Sequence, residues 1–230
     1  MQLKGFIFDL DGTLLYTLED IAQAENKALH KLGLPPRDVE EYRWIVGGGA
    51  EDIARRLLPA ESHDPNSISA FVQSFRSFYH ENWHDKTRFY SGIPELLTIL
   101  GNKGKKLAVL SNKPEEFAGK IVDHYFPDWQ GIQSPRLFTH VIGQIKGMPT
   151  KPDPILALKI ANDWNLAPQE IGFIGDSDID IFTAANAGMV SIGAGWGFRG
   201  AQELVDSGAQ ILLQSPLDLI QYLDDSEVVI

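Results

Sequence analysis

Three short, continuously apolar runs constrain this chain more than any other feature, because each stops at small, acidic or hydroxyl side chains. Gly5-Phe6-Ile7-Phe8 runs into Asp9-Leu10-Asp11-Gly12, Lys106-Leu107-Ala108-Val109-Leu110 into Ser111-Asn112, and Ile171-Gly172-Phe173-Ile174 into Gly175-Asp176-Ser177-Asp178. A strand covered on one face alternates apolar and polar residues, whereas a strand covered on both faces reads as an unbroken apolar run. A helical pattern follows each run. Pro114 is placed to open the second helix at its first position, and Gly188 to close the third. Strands alternating with helices predict an α/β fold, a Rossmann-like, doubly wound parallel sheet. Ligands of such sheets bind beyond the carboxyl ends of the strands. Asp9, Asp11, Ser111 and Asp176 are therefore expected on one rim, although they lie far apart in sequence. Further strands are predicted at 138–142, 190–192 and 210–213.

The stretch from 17 to 90 carries no strong strand signal. Helical periodicity covers 18–32, 51–58 and 68–83, and Thr17 with Asp20 is placed to form a capping box. Gly92 and Pro94 mark the return to the sheet. The predicted organisation is a catalytic core of residues 1–16 and 91–230, interrupted by a helical insertion of residues 17–90.

Composition narrows the partners. The formal net charge is −11, so nucleic acid and anionic membrane are not favoured partners. A phosphorylated ligand would be repelled as well, so its site must supply local positive charge from a metal ion or a well-placed lysine. There is no cysteine, which excludes disulfides and thiolate metal sites and fits a reducing compartment. The N-terminus runs straight into the first apolar run, without the longer stretch of a secretion signal, and a cytoplasmic location is expected. The sequence leaves a monomer or a homodimer equally open.

Taken singly, the polar groups at the strand ends have ordinary readings. Asp11-Gly12 is a common hairpin turn, but a helical pattern follows it here instead of a second strand. Two carboxylates at one strand end, Asp9 and Asp11, can divide nucleophile or metal-ligand duty from acid–base duty. Gly12 permits a tight turn, and the amides after it, beginning with Thr13, can face an anion. Ser111 and Asn112 could simply cap a helix, and Lys151 could be a solvated loop lysine or neutralise a phosphoryl group. Asp176, Asp178 and Asp180 could favour a helix N-terminus, or join Asp9 in an all-oxygen site suited to Mg²⁺.

Taken together, these residues resemble the haloacid dehalogenase-like hydrolases, in the branch that contains phosphoglycolate phosphatases. Phe8-Asp9-Leu10-Asp11-Gly12-Thr13, Leu110-Ser111-Asn112-Lys113, Lys151-Pro152-Asp153-Pro154 and Gly175-Asp176-Ser177 with Asp180 match the four family motifs in order. Ala184, Ala185 and Ala187-Gly188-Met189 continue the match. The resemblance implies a phosphatase of small phosphorylated metabolites. In it Asp9 attacks phosphorus and Asp11 acts as acid and base. Ser111 hydrogen-bonds the phosphoryl group and Lys151 balances its charge; Gly12, Thr13 and Asn112 help to bind it. Mg²⁺ is held by Asp9, Asp11 through its carbonyl, and Asp176, with Asp180 close by. The resemblance also makes 17–90 a cap that closes over the site, and Val46-Gly47-Gly48-Gly49-Ala50 either a cap loop or a plain flexible connection. The family often carries an Asp-Ser pair where this chain has Tyr16-Thr17, a departure at the core–cap hinge. Asp178 has no family role, and capping or solvation suits it.

Other chemistries fit less of the chain. His80-Glu81-Asn82-Trp83-His84 matches the zinc-protease pattern His-Glu-x-x-His, yet it lies in a charged stretch at the end of the insertion without an evident third ligand. A receiver-like, phosphorylation-dependent binding module needs neither Asp11 nor a helical insertion. A sugar-phosphate mutase would use the same aspartate pair, and a dehalogenase would use neither Asp11 nor a metal.

Overall fold

The computed structural model describes residues 3–127 and 137–223. Its centre is a six-stranded sheet in the order β5-β4-β1-β6-β7-β8, all neighbours parallel. The strands are β1 (Gly5–Phe8), β4 (Lys106–Pro114), β5 (His140–Gln144), β6 (Ile171–Gly175), β7 (Val190–Ala194) and β8 (Ile211–Leu213). The apolar runs explain why β1 sits in the middle. Phe6 and Phe8 pack into one core cluster and Ile7 into the other, so both faces of the strand are buried.

Helices α5 (Ile93–Asn102) and α6 (Glu115–Tyr125) cover the first face, and α7 (Ile155–Trp164) and α8 (Asp178–Ala187) the second; a short α9 (Ala201–Asp206) follows β7. β5 begins two residues later than the periodicity predicts. Pro114 is the N-cap of α6 instead of its first residue, because the extended backbone of β4 runs on to Pro114. Gly188 closes α8 with a φ of 69°, the left-handed conformation that glycine adopts without penalty.

Between two short antiparallel strands, β2 (Leu15–Tyr16) and β3 (Arg88–Phe89), lie four helices that add nothing to the large sheet. They are α1 (Leu18–Lys31), α2 (Tyr42–Ile45), α3 (Ala50–Leu57) and α4 (Pro65–Asn82). α4 starts three residues before its predicted boundary, because Asp64 caps it by accepting from Asn66 N at 3.0 Å and Ser67 N at 3.1 Å, with Pro65 at the first position.

The capping box expected of Thr17 and Asp20 does not form. Thr17 Oγ1 donates to Asp11 Oδ1 at 2.7 Å. Fully buried Asp20 accepts from Lys86 N, Thr87 N and Thr87 Oγ1. Both side chains are drawn to longer-range partners that tie the start of α1 to the strand end on one side and to the entry of β3 on the other. The Tyr16 ring sits at this crossing, edge-on to Tyr90 and Phe198 and under the Arg88 guanidinium 4.2 Å away. No helix among the described residues is long and apolar enough to cross a membrane.

Candidate active site

The parallel topology leaves a crevice where the chain leaves β1 for one side of the sheet and later returns on the other. Asp9 follows β1, Ser111 lies in the distal part of β4, and Asp176 follows β6. These three, with Asp11, Asn112, Lys113 and Lys151, line one cleft of about 620 Å³, counted to its open mouth. Its far wall comes from the inserted helices and their glycine loop, through Ile21, Glu25, Val46, Gly47, Ile53 and Phe75.

Each polar group is fixed by local backbone. The main chain of Asp9 is anchored by its amide to Ile174 O at 2.9 Å. Gly12 has a φ of 84°, and a Cβ there would stand 2.3 Å from Asp176 Oδ2; only glycine lets the β1 turn come this close to the β6 carboxylate. Thr13 Oγ1 reaches Asp176 Oδ1 at 3.5 Å, and Phe198 N donates to Asp176 Oδ2 at 2.7 Å. The register of β4 against β5 shifts between Leu110 and Pro114. Within this stretch Asn112 Nδ2 donates to Lys151 O and to Gly47 O, and Lys151 N donates back to Asn112 Oδ1. The Asn112 side chain thus holds the Lys151 backbone and clips the glycine loop to the core.

The electrostatics follow from burial. Asp9, Asp176 and Asp180 are buried, and each offers an oxygen within 4.8 Å of the others. Lys151 Nζ lies 2.8 Å from Asp9 Oδ1 and 2.7 Å from Asp180 Oδ1. Asp180 Oδ2 accepts from Ser177 N and Oγ, so both its oxygens are engaged. Asp9 Oδ1, by contrast, has Lys151 as its one partner, at 2.8 Å. Burial raises the Asp9 carboxyl to a pKa of about 6; Asp180 and Asp11 push the same way, and Lys151 opposes them. Burial, with Asp180 and Asp9, also holds Asp176 well above the usual carboxylate range. When ionised, three buried carboxylates facing one ammonium leave an excess of two negative charges. Such a site suits a divalent cation with oxygen ligands.

The carboxylate of Asp11 stands apart from this cluster. It accepts from Lys113 Nζ at 3.0 and 3.1 Å and from Thr17 Oγ1. Lys113 is buried, with its ammonium 4.6 Å from the Tyr79 ring. Burial alone would lower its pKa, but Asp11 and Tyr79 outweigh burial and hold it above the ordinary lysine value. Sequence reasoning quoted Lys113 within a motif but gave it no task. It also passed over Glu25, a carboxyl on the cleft wall at a position where the apolar stripe of α1 calls for a hydrophobic residue. That interruption of the stripe was the available signal. For Phe198, which acts through its main-chain amide, the sequence offered none.

The remaining candidates fall outside the cleft. Asp178 opens α8, its Oδ1 accepting from Ile179 N. His80 Nδ1 lies 3.4 Å from Lys120 Nζ, and His84 stacks on Trp83. Among the described residues, the only group of three potential ligands with oxygen, nitrogen or sulfur donors in reach of one another is Asp9, Asp176 and Asp180, so the His-Glu-x-x-His pattern gathers no metal site.

A family model described as haloacid dehalogenase-like hydrolase matches residues 6–194. The chain belongs to the haloacid dehalogenase-like hydrolases. A phosphoglycolate phosphatase of Aquifex aeolicus is 32% identical over 223 residues, covering 97% of this chain and 98% of that protein. One from Pseudomonas putida is 32% identical over 197 residues, 84% of this chain and 70% of its own length. A solved structure from Haemophilus somnus, described as a predicted phosphoglycolate phosphatase, is 28% identical with a TM-score of 0.85, covering 96% of this chain and 98% of that one. Membership of a hydrolase family sets aside the receiver-like binding module.

Proposed function

We propose that this hydrolase cleaves small phosphomonoesters with Mg²⁺, through a covalent phosphate on Asp9. Phosphoglycolate is the first substrate to test, because the relatives above carry that name. One observation carries the reading: Asp9 shares a buried pocket with Asp176, Asp180 and Lys151 at the switch point of the sheet, its Oδ1 2.8 Å from the lysine ammonium. Phosphoryl transfer asks a protein mainly for positioning and charge neutralisation, and these groups supply both.

In this reading an Asp9 oxygen forms the bond to phosphorus as the ester oxygen leaves. Asp11, held by Lys113 and Thr17, gives that oxygen its proton and later takes one from the water that cleaves the acyl phosphate. Lys151 and the Ser111 hydroxyl face the phosphoryl oxygens, and Asn112 keeps Lys151 in place. Asp9, Asp176 and the main chain of Asp11 would hold the metal, with Asp180 behind them. Bound there, Mg²⁺ supplies charge neutralisation for the phosphoryl group. Residues 17–90 act as a cap that excludes water during the reaction, in a cytoplasmic enzyme.

The test is phosphate release from phosphoglycolate, glycerol 3-phosphate and p-nitrophenyl phosphate, with Mg²⁺ and again with chelator. Release that needs the metal and is lost by several orders of magnitude in Asp9→Asn is expected. Equal release by the folded variant refutes the assignment.

A further inference from the structure

Glu25 is the carboxyl of the cleft that the proposed reaction leaves unused. It lies on α1, one turn beyond Ile21, and both side chains face the cleft. Only 1% of Glu25 is exposed. The apolar part of the cleft lining is Ile21, Val46, Ile53 and Phe75, and Lys113 and Arg199 line the same cleft. Its Oε2 is shut off from solvent and has no hydrogen-bond partner. The cation acting on it is Lys113, whose ammonium is already committed to both oxygens of Asp11. Burial pushes the Glu25 carboxyl well above the usual carboxylate range, against the pull of Lys113.

A buried carboxyl oxygen without a donor is costly and uncommon. Its position gives it a use. The phosphoryl group belongs at the Asp9–Lys151 end of the cleft, so the leaving group extends toward the wall of α1, α3 and α4. An apolar wall with one unsatisfied acceptor matches a small leaving group that carries one hydrogen-bond donor.

We propose that Glu25 is a specificity-determining residue, whose carboxyl oxygen accepts a hydrogen bond from a hydroxyl or ammonium on the leaving group. It thereby biases selection toward phosphomonoesters of polyols or amino alcohols over those whose leaving group carries no donor. The inference rests on the phosphatase reading and adds the substrate class to it.

The test compares kcat/KM for glycerol 3-phosphate, phosphoethanolamine and phosphoglycolate in the Mg²⁺-loaded wild type, Glu25→Leu and Glu25→Gln. In Glu25→Leu the ratio of each donor-bearing substrate to phosphoglycolate is expected to fall about tenfold or more, because a site built around a hydrogen bond discriminates strongly by that bond. Glu25→Gln keeps an acceptor oxygen but cannot ionise against a bound ammonium, so glycerol 3-phosphate should lose less than phosphoethanolamine. Thermal unfolding checks the variants; Glu25→Leu removes an unpaired buried carboxyl and should unfold at the wild-type temperature or above. If it does not fold, the Glu25→Gln ratio for phosphoethanolamine carries the test.

Ratios that stay within about threefold of wild type overturn the proposal, being too small for a lost hydrogen bond to a carboxyl. So does a loss that falls mainly on phosphoglycolate, which would make Glu25 a donor to a substrate carboxylate. Hydrolysis of p-nitrophenyl phosphate by the wild type separates the two readings. Turnover with unmoved ratios overturns the role of Glu25 alone. No turnover of any monoester overturns the phosphatase reading and this inference with it.

Discussion

Replacing Lys151 by methionine removes the one ammonium that faces both Asp9 and Asp180, while keeping most of its volume. The lysine side chain is 4% exposed, with Nζ 2.7 Å from Asp180 Oδ1 and 2.8 Å from Asp9 Oδ1. At an effective dielectric constant of about 20, each contact attracts by about 6 kcal/mol. Desolvation of the buried ammonium offsets several kcal/mol of that gain, and breaking such a cluster from one side costs about 3–5 kcal/mol net.

The pH dependence has a definite sign. Burial would lower the lysine pKa, but Asp180 and Asp9 hold it above its ordinary value. Its contribution is therefore fully present at every pH below the usual lysine pKa, and the lysine adds no slope near neutrality. The slope comes from the carboxylates. Asp9 already titrates near 6 in the native protein, and without Lys151 its pKa rises further. A carboxyl raised in the folded state loses stability as pH rises. The penalty of Lys151→Met is thus largest near about pH 8 and falls by roughly half or more near about pH 5. Urea unfolding in chelator, followed by the fluorescence of the five tryptophans, measures it. A loss under about 1 kcal/mol at the higher pH would be that of an ordinary exposed ion pair, and would refute the reasoning. So would a loss that grows on acidification.

Three further outcomes follow from the same geometry. Gly12→Ala places a methyl 2.3 Å from Asp176 Oδ2 at a φ of 84°; urea unfolding should show a loss of about 1–3 kcal/mol, and the apparent Mg²⁺ affinity should fall with the displaced carboxylate. Asp9→Asn should stabilise the chelated protein above about pH 6 by about 1–3 kcal/mol, since it removes a charge that burial disfavours, and the gain should vanish below about pH 4, where Asp9 is already neutral. Mg²⁺ binding followed by calorimetry should tighten as pH rises through about 6, because the metal must displace a proton held by Asp9.

The sheet was legible because β1, β4 and β6 carry their apolar residues continuously, and the elements after them follow helical spacing. The convergence of Asp9, Ser111 and Asp176 followed from that topology without any side-chain information. Local capping logic failed at Thr17, whose hydroxyl turns back to Asp11 on the preceding turn, and at Asp20, which is taken by amides 66 and 67 positions away. Asn112 was read as facing the ligand, and its hold on Lys151 across 39 positions is a tertiary fact that no spacing encodes. Lys113 and Glu25 carry charge in buried positions. A sequence shows charge but not depth, so their weight emerges only when α1 and α4 close over the ends of the strands.

The central claim is that Asp9 itself carries phosphate during turnover. Rapid acid quench of the Mg²⁺-loaded enzyme with substrate, followed by borohydride reduction and peptide mass spectrometry, measures this directly. The account predicts reduction of Asp9 to homoserine, in amounts that disappear with chelator. Trapping at another residue, or turnover with Asp9 never modified, contradicts it.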